Sequence, residues 1–312
     1  MTISLRASIV WIATASAAIA PARGEAPVVR DYQAVFQTCG NAAGGRTLAI
    51  RTMSVAGEKK LLTVDAQSLA TRLEPASAWV CAPTTDEAQK DTRYLRAIRA
   101  AGAQVTPASG ASRNAGLTHG AGNGVYVTSD LCPSAKPLDR AFYDLLARQA
   151  PRAPIAIAVS GAWIARHAAD FDWLRAQARA GALDITWVNH SFRHRYRRGV
   201  AETLNYLMLP GSDLDAEIFE TEKLLIARGE TPSAFFRFPG LVADSALMEK
   251  LRVRHLIALG SDAWLALTGA ARPGAIVLVH GNGNEPLGLR IFERLVGQGK
   301  MPTPLRRLED AP

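Results

Sequence analysis

The stretch that decides how this chain is interpreted is Leu183-Asp184-Ile185-Thr186-Trp187-Val188-Asn189-His190-Ser191-Phe192-Arg193-His194. Its first half is an apolar run that predicts a buried strand, and its second half carries two histidines with three residues between them. If the chain turns into a helix there, both imidazoles reach one point, which is the usual geometry of a two-histidine metal pair. Such a pair also arises by chance in a chain with six histidines. Its meaning therefore depends on the residues that end the other strands.

Length and composition predict a large globular protein. With 312 residues, of which 48% are hydrophobic, the chain can bury a substantial core. Residues 1–24 are typical of a secretory signal peptide, with Arg6 before a short apolar run and small residues up to Gly24. No second long apolar segment follows. We therefore expect an exported protein, periplasmic or extracellular, without stable membrane insertion after signal cleavage.

Charge and cysteines narrow the partners and the compartment. The net charge of +8 suits an anionic cell-wall polymer, although most arginines are scattered and only residues 193–198 form a cluster. There is no nucleic-acid motif, so we expect no nucleic-acid partner. In an exported protein Cys39 and Cys81 can pair, and we expect Cys132 to be buried and unpaired.

Residues 25–123 are predicted to form an amino-terminal α+β extension. Residues 46–54 and 60–65 alternate around Gly57, which indicates a hairpin. A helix is expected to begin near Thr85 and to end at Gly102, and residues 103–123 are typical of a loop. His119 lies in that loop, and we expect no role for it.

Apolar runs alternate with amphipathic stretches from Gly124 onward, a pattern typical of parallel strands joined by helices. The predicted strands are residues 124–129, 154–159, 183–188, 233–237, 255–260 and 275–279. The predicted helices are residues 139–148, 162–179, 213–228, 244–251 and 287–297. We expect residues 124–300 to form one unit and residues 301–312 to form a tail.

Polar residues follow nearly every predicted strand: Asp130, His190 with His194, Arg237 with Pro239, Asp262 with Trp264, and His280. In a barrel of parallel strands these positions meet at the carboxyl face, around one pocket. An open doubly wound sheet would also gather strand ends, but it normally carries a glycine-rich phosphate loop, and none follows the first strand. The segment is short against the roughly 250 residues of an eight-strand barrel. We therefore predict an α/β fold with a distorted, smaller (β/α) barrel.

Five ordered motifs resemble those of the polysaccharide deacetylases, the NodB-homology family of carbohydrate esterases. They are Thr128-Ser129-Asp130-Leu131-Cys132-Pro133-Ser134, His190-Ser191-Phe192-Arg193-His194, Arg237-Phe238-Pro239-Gly240, Asp262-Ala263-Trp264 and Leu278-Val279-His280. The resemblance covers about residues 124–299. It implies a hydrolase of carbon–nitrogen (non-peptide) bonds that removes N-acetyl or O-acetyl groups from a polysaccharide or oligosaccharide.

The first motif departs from the family pattern Thr-Phe-Asp-Asp-Gly-Pro, in which the earlier aspartate acts as base and the later one binds metal. Aligning Thr128 and Pro133 places Asp130 on the base position and Leu131 on the metal position. Leucine cannot ligate a cation. Three outcomes follow: Asp130 shifts onto the metal, the histidine pair holds it with water or another side chain, or the site no longer binds metal.

The resemblance assigns roles to the strand-end residues. His190, His194 and Asp130 would hold a divalent metal, with zinc as the first choice and cobalt, nickel or manganese as alternatives. The catalytic group would be Asp130 as base, Arg237 orienting it, His280 as acid and Asp262 tuning that acid. Trp264 and Pro239 would contact substrate. Asn282, Asn284 and Glu285 are a further source of a replacement ligand.

Each role has a structural alternative, since Arg237 can be an ion-pair partner, Asp262 can cap a loop, and His280 can be a core histidine. The leading hypothesis is a metal-dependent deacetylase of a cell-wall or extracellular glycan. The alternatives are a catalytically silent glycan-binding module, in which Leu131 has ended the chemistry, and a metal hydrolase of another amide or ester. The sequence leaves the oligomeric state open.

Overall fold

The structure is a computed structural model that describes residues 26–103, 105 and 110–312. The predicted signal peptide, residues 1–24, lies outside the described residues. Within the described part of the chain, no helix has the length and apolar character needed to cross a bilayer.

The amino-terminal extension is built on an antiparallel five-stranded sheet. Its strands are β1 (Val29–Gly40), β2 (Arg46–Val55), β3 (Glu58–Val64), β4 (Thr71–Pro75) and β5 (Val80–Pro83), in the order β4-β3-β2-β1-β5. The predicted hairpin around Gly57 is present, because β2 and β3 pair up to Val55 and Glu58. Cys39 on β1 lies opposite Cys81 on β5, and the two form a disulfide.

Helix α1 covers Arg93–Gly102 and follows this sheet. The predicted end at Gly102 is right, whereas the predicted start near Thr85 is wrong. Residues 86–92 form turns, and the helix begins only where the Thr92 side chain accepts a hydrogen bond from the Leu95 amide. A capping threonine was expected, and Thr92 caps the helix in place of Thr85. After α1 the chain makes a short strand β6 (Ser112–Arg113).

The barrel contains seven parallel strands. They are β7 (Tyr126–Leu131), β8 (Ala153–Val159), β9 (Leu183–Asn189), β10 (Pro232–Phe236), β12 (Ile257–Ala258), β13 (Ala263–Trp264) and β14 (Ile276–His280), while β11 (Val242–Ala243) pairs with β6. The order is β12-β10-β9-β8-β7-β14-β13. This confirms the predicted α/β fold with a distorted parallel barrel and an added amino-terminal sheet.

Helices cover the outside of this sheet. They are α2 (Arg140–Ala147), α3 (Gly161–Arg166), α4 (Ala168–Arg179), α5 (Leu214–Ala227), α6 (Ser245–Arg252), α7 (Leu265–Thr268) and α8 (Pro286–Gly297). The helix predicted over residues 162–179 is divided at His167, whose backbone leaves the helical region. Helix α5 begins as predicted, with the Asp213 carboxylate accepting from the amides of Asp215 and Ala216.

The alternation of side chains along β7 separates two environments. Val125, Val127 and Leu131 pack in one core cluster, together with side chains of α2, α4 and α8, whereas Tyr126 packs in the other core cluster. Because successive side chains of a strand point to opposite faces, Asp130 shares the inner face with Tyr126. The strand therefore sends its polar end into the barrel.

The carboxyl-terminal segment and the amino-terminal extension both contact the barrel and its helices. Residues 301–312, predicted as a tail, pack against it: Leu308 is buried, and Thr186 on β9 donates a hydrogen bond to the Glu309 carboxylate at 2.9 Å. The extension is joined to α5 by a buried ion pair in which Arg51 contacts Glu222 at 2.8 Å. Nearby, Phe36 of β1 stacks on His255, with ring centroids 3.9 Å apart.

Candidate metal centre and active site

A tight turn after β9 brings the two histidines together. The expected helix is absent: Ser191 and His194 have positive φ angles of 64° and 47°, and residues 190–199 are not helical. The turn is held locally, since Ser191 donates its amide to the Asn189 side chain at 2.9 Å and His194 donates its amide to the Ser191 hydroxyl at 3.1 Å. The imidazole centroids of His190 and His194 lie 4.7 Å apart. The prediction of a convergent pair thus holds, although the local structure differs.

Helix α5 anchors this turn from below. The Glu217 carboxylate, which is almost fully buried, accepts the amide hydrogens of Phe192 at 2.9 Å and Arg193 at 2.7 Å. With the two amides held by side chains within the turn, four backbone amides of residues 191–194 are fixed by hydrogen bonds. A rigid support of this kind orients the side chains that would bind a metal directly.

Both histidines present a nitrogen toward a shared point. His190 is buried, and its Nδ1 lies 2.8 Å from the Arg237 carbonyl oxygen. If Nδ1 carries the proton, Nε2 is left as a lone-pair donor. The Nε2 atom of His194 is buried and has no hydrogen-bond partner among the described residues. A buried ring nitrogen without a partner is costly unless something binds it.

Cys132 completes the cluster. Its Sγ lies 3.4 Å from His190 Nε2, and donor atoms of Cys132, His190 and His194 all lie within 4.8 Å of one another. Cys132 was expected to be buried and unpaired; it forms no disulfide, but it is partly exposed and its sulfur faces the histidines. Sulfur and imidazole nitrogen are the donors that zinc prefers. The donor set present therefore fits a zinc-type ion.

The charges of this cluster are strongly coupled. Burial on its own would raise the pKa of the Cys132 thiol, but the charges of His194 and His190 outweigh it and hold that pKa well below its usual range. Burial on its own would lower the pKa of His190, yet Asp130 and Cys132 raise it. Negative charge on Cys132 and positive charge on His190 therefore favour one another.

Asp130 lies between Arg237 and the histidine pair. Its Oδ1 accepts from Arg237 Nη1 at 2.6 Å, and its Oδ2 lies 3.6 Å from His190 Nε2. Arg237 has no exposed surface and also donates to the Thr128 hydroxyl and the Gly260 carbonyl, at 2.7 and 2.8 Å. The structure thus brings together Asp130, His190 and Arg237, which the sequence analysis placed at or just after the ends of three different strands. One carboxylate oxygen is fixed, and the other remains for chemistry.

His280 faces Asp130 from the neighbouring strand. In the register of β14 with β7 these two residues are direct partners, so that their side chains share a face of the sheet. His280 Nδ1 lies 3.2 Å from Glu285 Oε2, which also accepts from Trp264 Nε1 at 2.8 Å. Burial on its own would lower the pKa of His280, but hydrogen bonds with Cys132 and Glu285 raise it to about 10.

Asp262 and Pro239 do not occupy the positions that were predicted for them at the site. Asp262 does not contact His280: its carboxylate accepts from the Ile276 amide at 3.0 Å and lies 2.8 Å from His119 Nδ1. The position expected for Asp262 beside His280 is taken by Glu285. His119, for which no role was expected, holds Asp262 from a segment that bridges Leu259 and Ala275 at the barrel opening.

Pro239 is buried in a one-turn helix and does not line the pocket; its neighbour Gly240 does. Tyr206, which the sequence did not single out, forms another wall and lies edge-on to His194 at 5.6 Å between centroids. The pocket has a volume of about 420 Å³ and opens to solvent. Its floor and walls include Asp130, Cys132, His194, Tyr206, Trp264 and His280.

Comparison with solved structures gives similarity of fold. No protein-family model matches the chain. The chain is similar to a family 4 carbohydrate esterase from Bacillus anthracis, with 18% identity, a TM-score of 0.47, and coverage of 64% of this chain and 87% of that chain. It is also similar to the chitin deacetylase of Colletotrichum lindemuthianum, with 17% identity, a TM-score of 0.43 and coverage of 61% and 89%.

A CE4 family pseudoenzyme from Bacillus anthracis is similar as well, with 14% identity, a TM-score of 0.39 and coverage of 58% and 63%. These proteins include both enzymes and a protein named as inactive. At such values the similarity assigns no activity to this chain. The side chains of the site have to carry that conclusion.

Proposed function

We propose that this protein is an exported, metal-dependent hydrolase that removes N-acetyl or O-acetyl groups from a cell-wall or extracellular glycan. One observation carries the proposal: Asp130 and His280 face one pocket from directly paired positions on neighbouring strands, beside the ring nitrogens of two histidines. Acyl transfer to water needs a base, an acid and a charge-stabilising group at one point. The motif resemblance supports the acetylated glycan as substrate.

His190 and His194 would hold the cation, with zinc as the first choice and cobalt, nickel or manganese as alternatives. The unpartnered Nε2 of His194, the Nε2 of His190 and the adjacent sulfur form a donor set that fits such an ion. When bound there, a divalent cation supplies Lewis-acid polarisation of the acetyl carbonyl and lowers the pKa of a water molecule. The remaining chemistry belongs to the side chains.

Asp130 acts as the base. Arg237 fixes its Oδ1, so that Oδ2 points to the pocket and can accept the proton of the attacking water. A proton acceptor held in one orientation loses little entropy on reaching the reactive geometry. Arg237 is a positioning residue here, because its own guanidinium is fully enclosed.

His280 acts as the acid. Its Nδ1 lies 3.2 Å from Glu285 Oε2, its ring lines the pocket beside Cys132, and the ring of Trp264 packs 5.6 Å away. As the carbon–nitrogen or carbon–oxygen bond breaks, His280 gives a proton to the leaving atom, and acetate remains. Trp264 and Tyr206 wall a space of the size that an acetyl group and part of a sugar need.

The disulfide between Cys39 and Cys81 supports export, since such bonds form in oxidising compartments. It agrees with the signal peptide predicted in residues 1–24 and with an extracellular polymer as substrate. The proposal includes no nucleic-acid partner.

The test is acetate release from a panel of N- and O-acetylated glycans by the zinc-loaded mature protein. We expect release that stops on chelation and in His190→Ala and His280→Ala. Asp244→Asn is a matched control, because Asp244 only caps α6 and asparagine caps equally well. Saccharide binding that ignores chelator, with no release from any substrate, would instead establish a silent binding module. Release from a different amide or ester alone would establish another hydrolase.

A further inference from the structure

The two faces of β7 explain how this chain could bind metal without the aspartate of the resemblance. Leu131 is fully buried in the cluster between the sheet and its helices, on the outer face. Asp130 precedes it on the inner face, and the Cys132 sulfur, one residue later, also reaches the pocket. The pocket thus receives the side chain of residue 130 from the strand and that of residue 132 from just past the end of the strand.

The distances around Cys132 suit a shared ligand. The Sγ–Nε2 distance to His190 is 3.4 Å. Two donors on a tetrahedral zinc, with bonds of about 2.3 Å to sulfur and about 2.0 Å to nitrogen, lie roughly 3.5 Å apart. The unpartnered and buried Nε2 of His194 provides an independent indication, since it faces the same point. A hydrogen bond between Cys132 and His190 would satisfy only one of the histidines.

We propose that Cys132 is the third protein ligand of the metal, so that the centre is Cys–His–His, with Asp130 left free as base. This inference rests on the proposed function because it concerns the same site. It removes the conflict raised by Leu131: the ligand has moved to the next inward-facing position. The ligand type changes with it, from a carboxylate to a thiolate.

A thiolate ligand changes which cations the site selects. Thiolates favour zinc and related soft ions over magnesium, calcium and manganese, which prefer oxygen. The metal also covers the sulfur. We expect alkylation of Cys132, the only cysteine outside the disulfide, to be blocked in the metal-loaded protein and restored by chelator.

The decisive measurement is X-ray absorption at the zinc edge of the loaded full-length mature protein. We expect one sulfur at about 2.3 Å and nitrogen or oxygen donors at about 2.0 Å. A shell of nitrogen and oxygen only would overturn the proposal. Zinc titration of Cys132→Ser, with folding checked by circular dichroism, should show affinity at least about 100-fold weaker, beyond the loss typical of an outer-shell partner.

Two carboxylate variants sharpen the result. Cys132→Asp should retain zinc with no sulfur in the shell and should tolerate manganese better, because its carboxylate enters the pocket. Cys132→Ser with Leu131→Asp should bind zinc no better than Cys132→Ser alone, because residue 131 faces the helices. Recovery of affinity in that double variant would contradict the proposal; if it fails to fold, Cys132→Asp still decides.

These measurements do not depend on turnover. A sulfur-containing shell in a protein that releases no acetate would keep Cys132 as ligand and reject the deacetylase. Chelator-sensitive acetate release with a sulfur-free shell would do the reverse.

Discussion

Two buried ion pairs in this molecule each join an arginine to a carboxylate. They differ in how many of their polar atoms are hydrogen-bonded. Arg51 and Glu222, both fully buried, join the extension to α5; Arg51 donates to both carboxylate oxygens and to two carbonyls, and Tyr32 donates to Glu222. At the site, Arg237 fixes only one oxygen of Asp130, and its own Nε has no partner.

The difference separates structure from function. A buried charge pair is tolerated when every donor and acceptor is used. The interface pair comes closer to that condition, because each of its side-chain nitrogens and oxygens has a partner, whereas the pair at the pocket keeps one carboxylate oxygen unused beside His190. A base requires a carboxylate oxygen that is not already hydrogen-bonded and that faces a pocket reached by solvent. Changing carboxylate to amide at each pair isolates the two roles.

The largest effect is expected for Asp130→Asn. The amide still accepts a hydrogen bond from Arg237 but cannot take a proton from water. We expect kcat for acetate release to fall by about 10² to 10⁴, the usual contribution of general acid–base catalysis. Zinc content, measured by elemental analysis, should remain near the wild-type value, because other side chains would bind the cation. Unchanged kcat would remove Asp130 from the mechanism.

Glu222→Gln makes the same chemical change at the interface. We expect the free energy of unfolding to fall by about 3–5 kcal/mol, because Arg51 is left as an uncompensated buried charge. Urea denaturation measures this, and kcat per folded molecule should stay unchanged. If Glu222→Gln lowered kcat while Asp130→Asn lowered only stability, the two pairs would have been assigned in reverse.

His255 provides a pH test of the same interface. Burial lowers its pKa from 6.5 to about 4, with Asp86 opposing and Arg51 reinforcing that shift. Because the unfolded chain binds the proton more readily, stability is full above pH 6.5 and falls as the pH drops toward 4. The loss is at most about 3 kcal/mol.

His255→Phe keeps an aromatic ring against Phe36 and removes the titration. Urea denaturation at a series of pH values should therefore show a flatter profile between pH 6.5 and 4 than in the wild type. Identical slopes in both proteins would show that other groups cause the dependence.

The smallest effect is expected for Glu285→Gln, which keeps the shape of the side chain that contacts His280 and Trp264. We expect kcat to fall roughly 10-fold with KM nearly unchanged, since His280 loses orientation and not contact with substrate. Asp262→Asn is the comparison variant for the carboxylate predicted from the motif. A larger loss there than in Glu285→Gln would restore Asp262 to the acid.

Much of this fold was predictable because buried parallel strands leave strong apolar runs, and polar residues at their ends stand out. Asp130, His190, Arg237 and His280 were found in this way. Cys132 was missed as a site residue because it was expected to be buried and unpaired, and because it lies one position beyond the end of β7, where strand alternation gives no direction. Contacts made across the chain gave no such signal.

His119 illustrates that limit, because it contacts Asp262 across a separation of 143 positions through a loop whose path depends on packing. Glu285 lies only five positions from His280, but the turn that brings the two side chains together also depends on packing. The turn at Ser191 was missed for a different reason. Two positive φ angles at residues other than glycine are not typical of any sequence pattern, and Glu217 from a later helix supports them.

The segment around Glu309 has a consequence for how the molecule folds. Glu309 accepts from Thr186 at a separation of 123 positions, and its carbonyl accepts from Arg93 on α1 at a separation of 216. Contacts between residues so far apart slow folding, because the chain entropy is lost before the contact is gained. We therefore expect the contacts of Glu309 with a central strand and with the first helix to form late in folding.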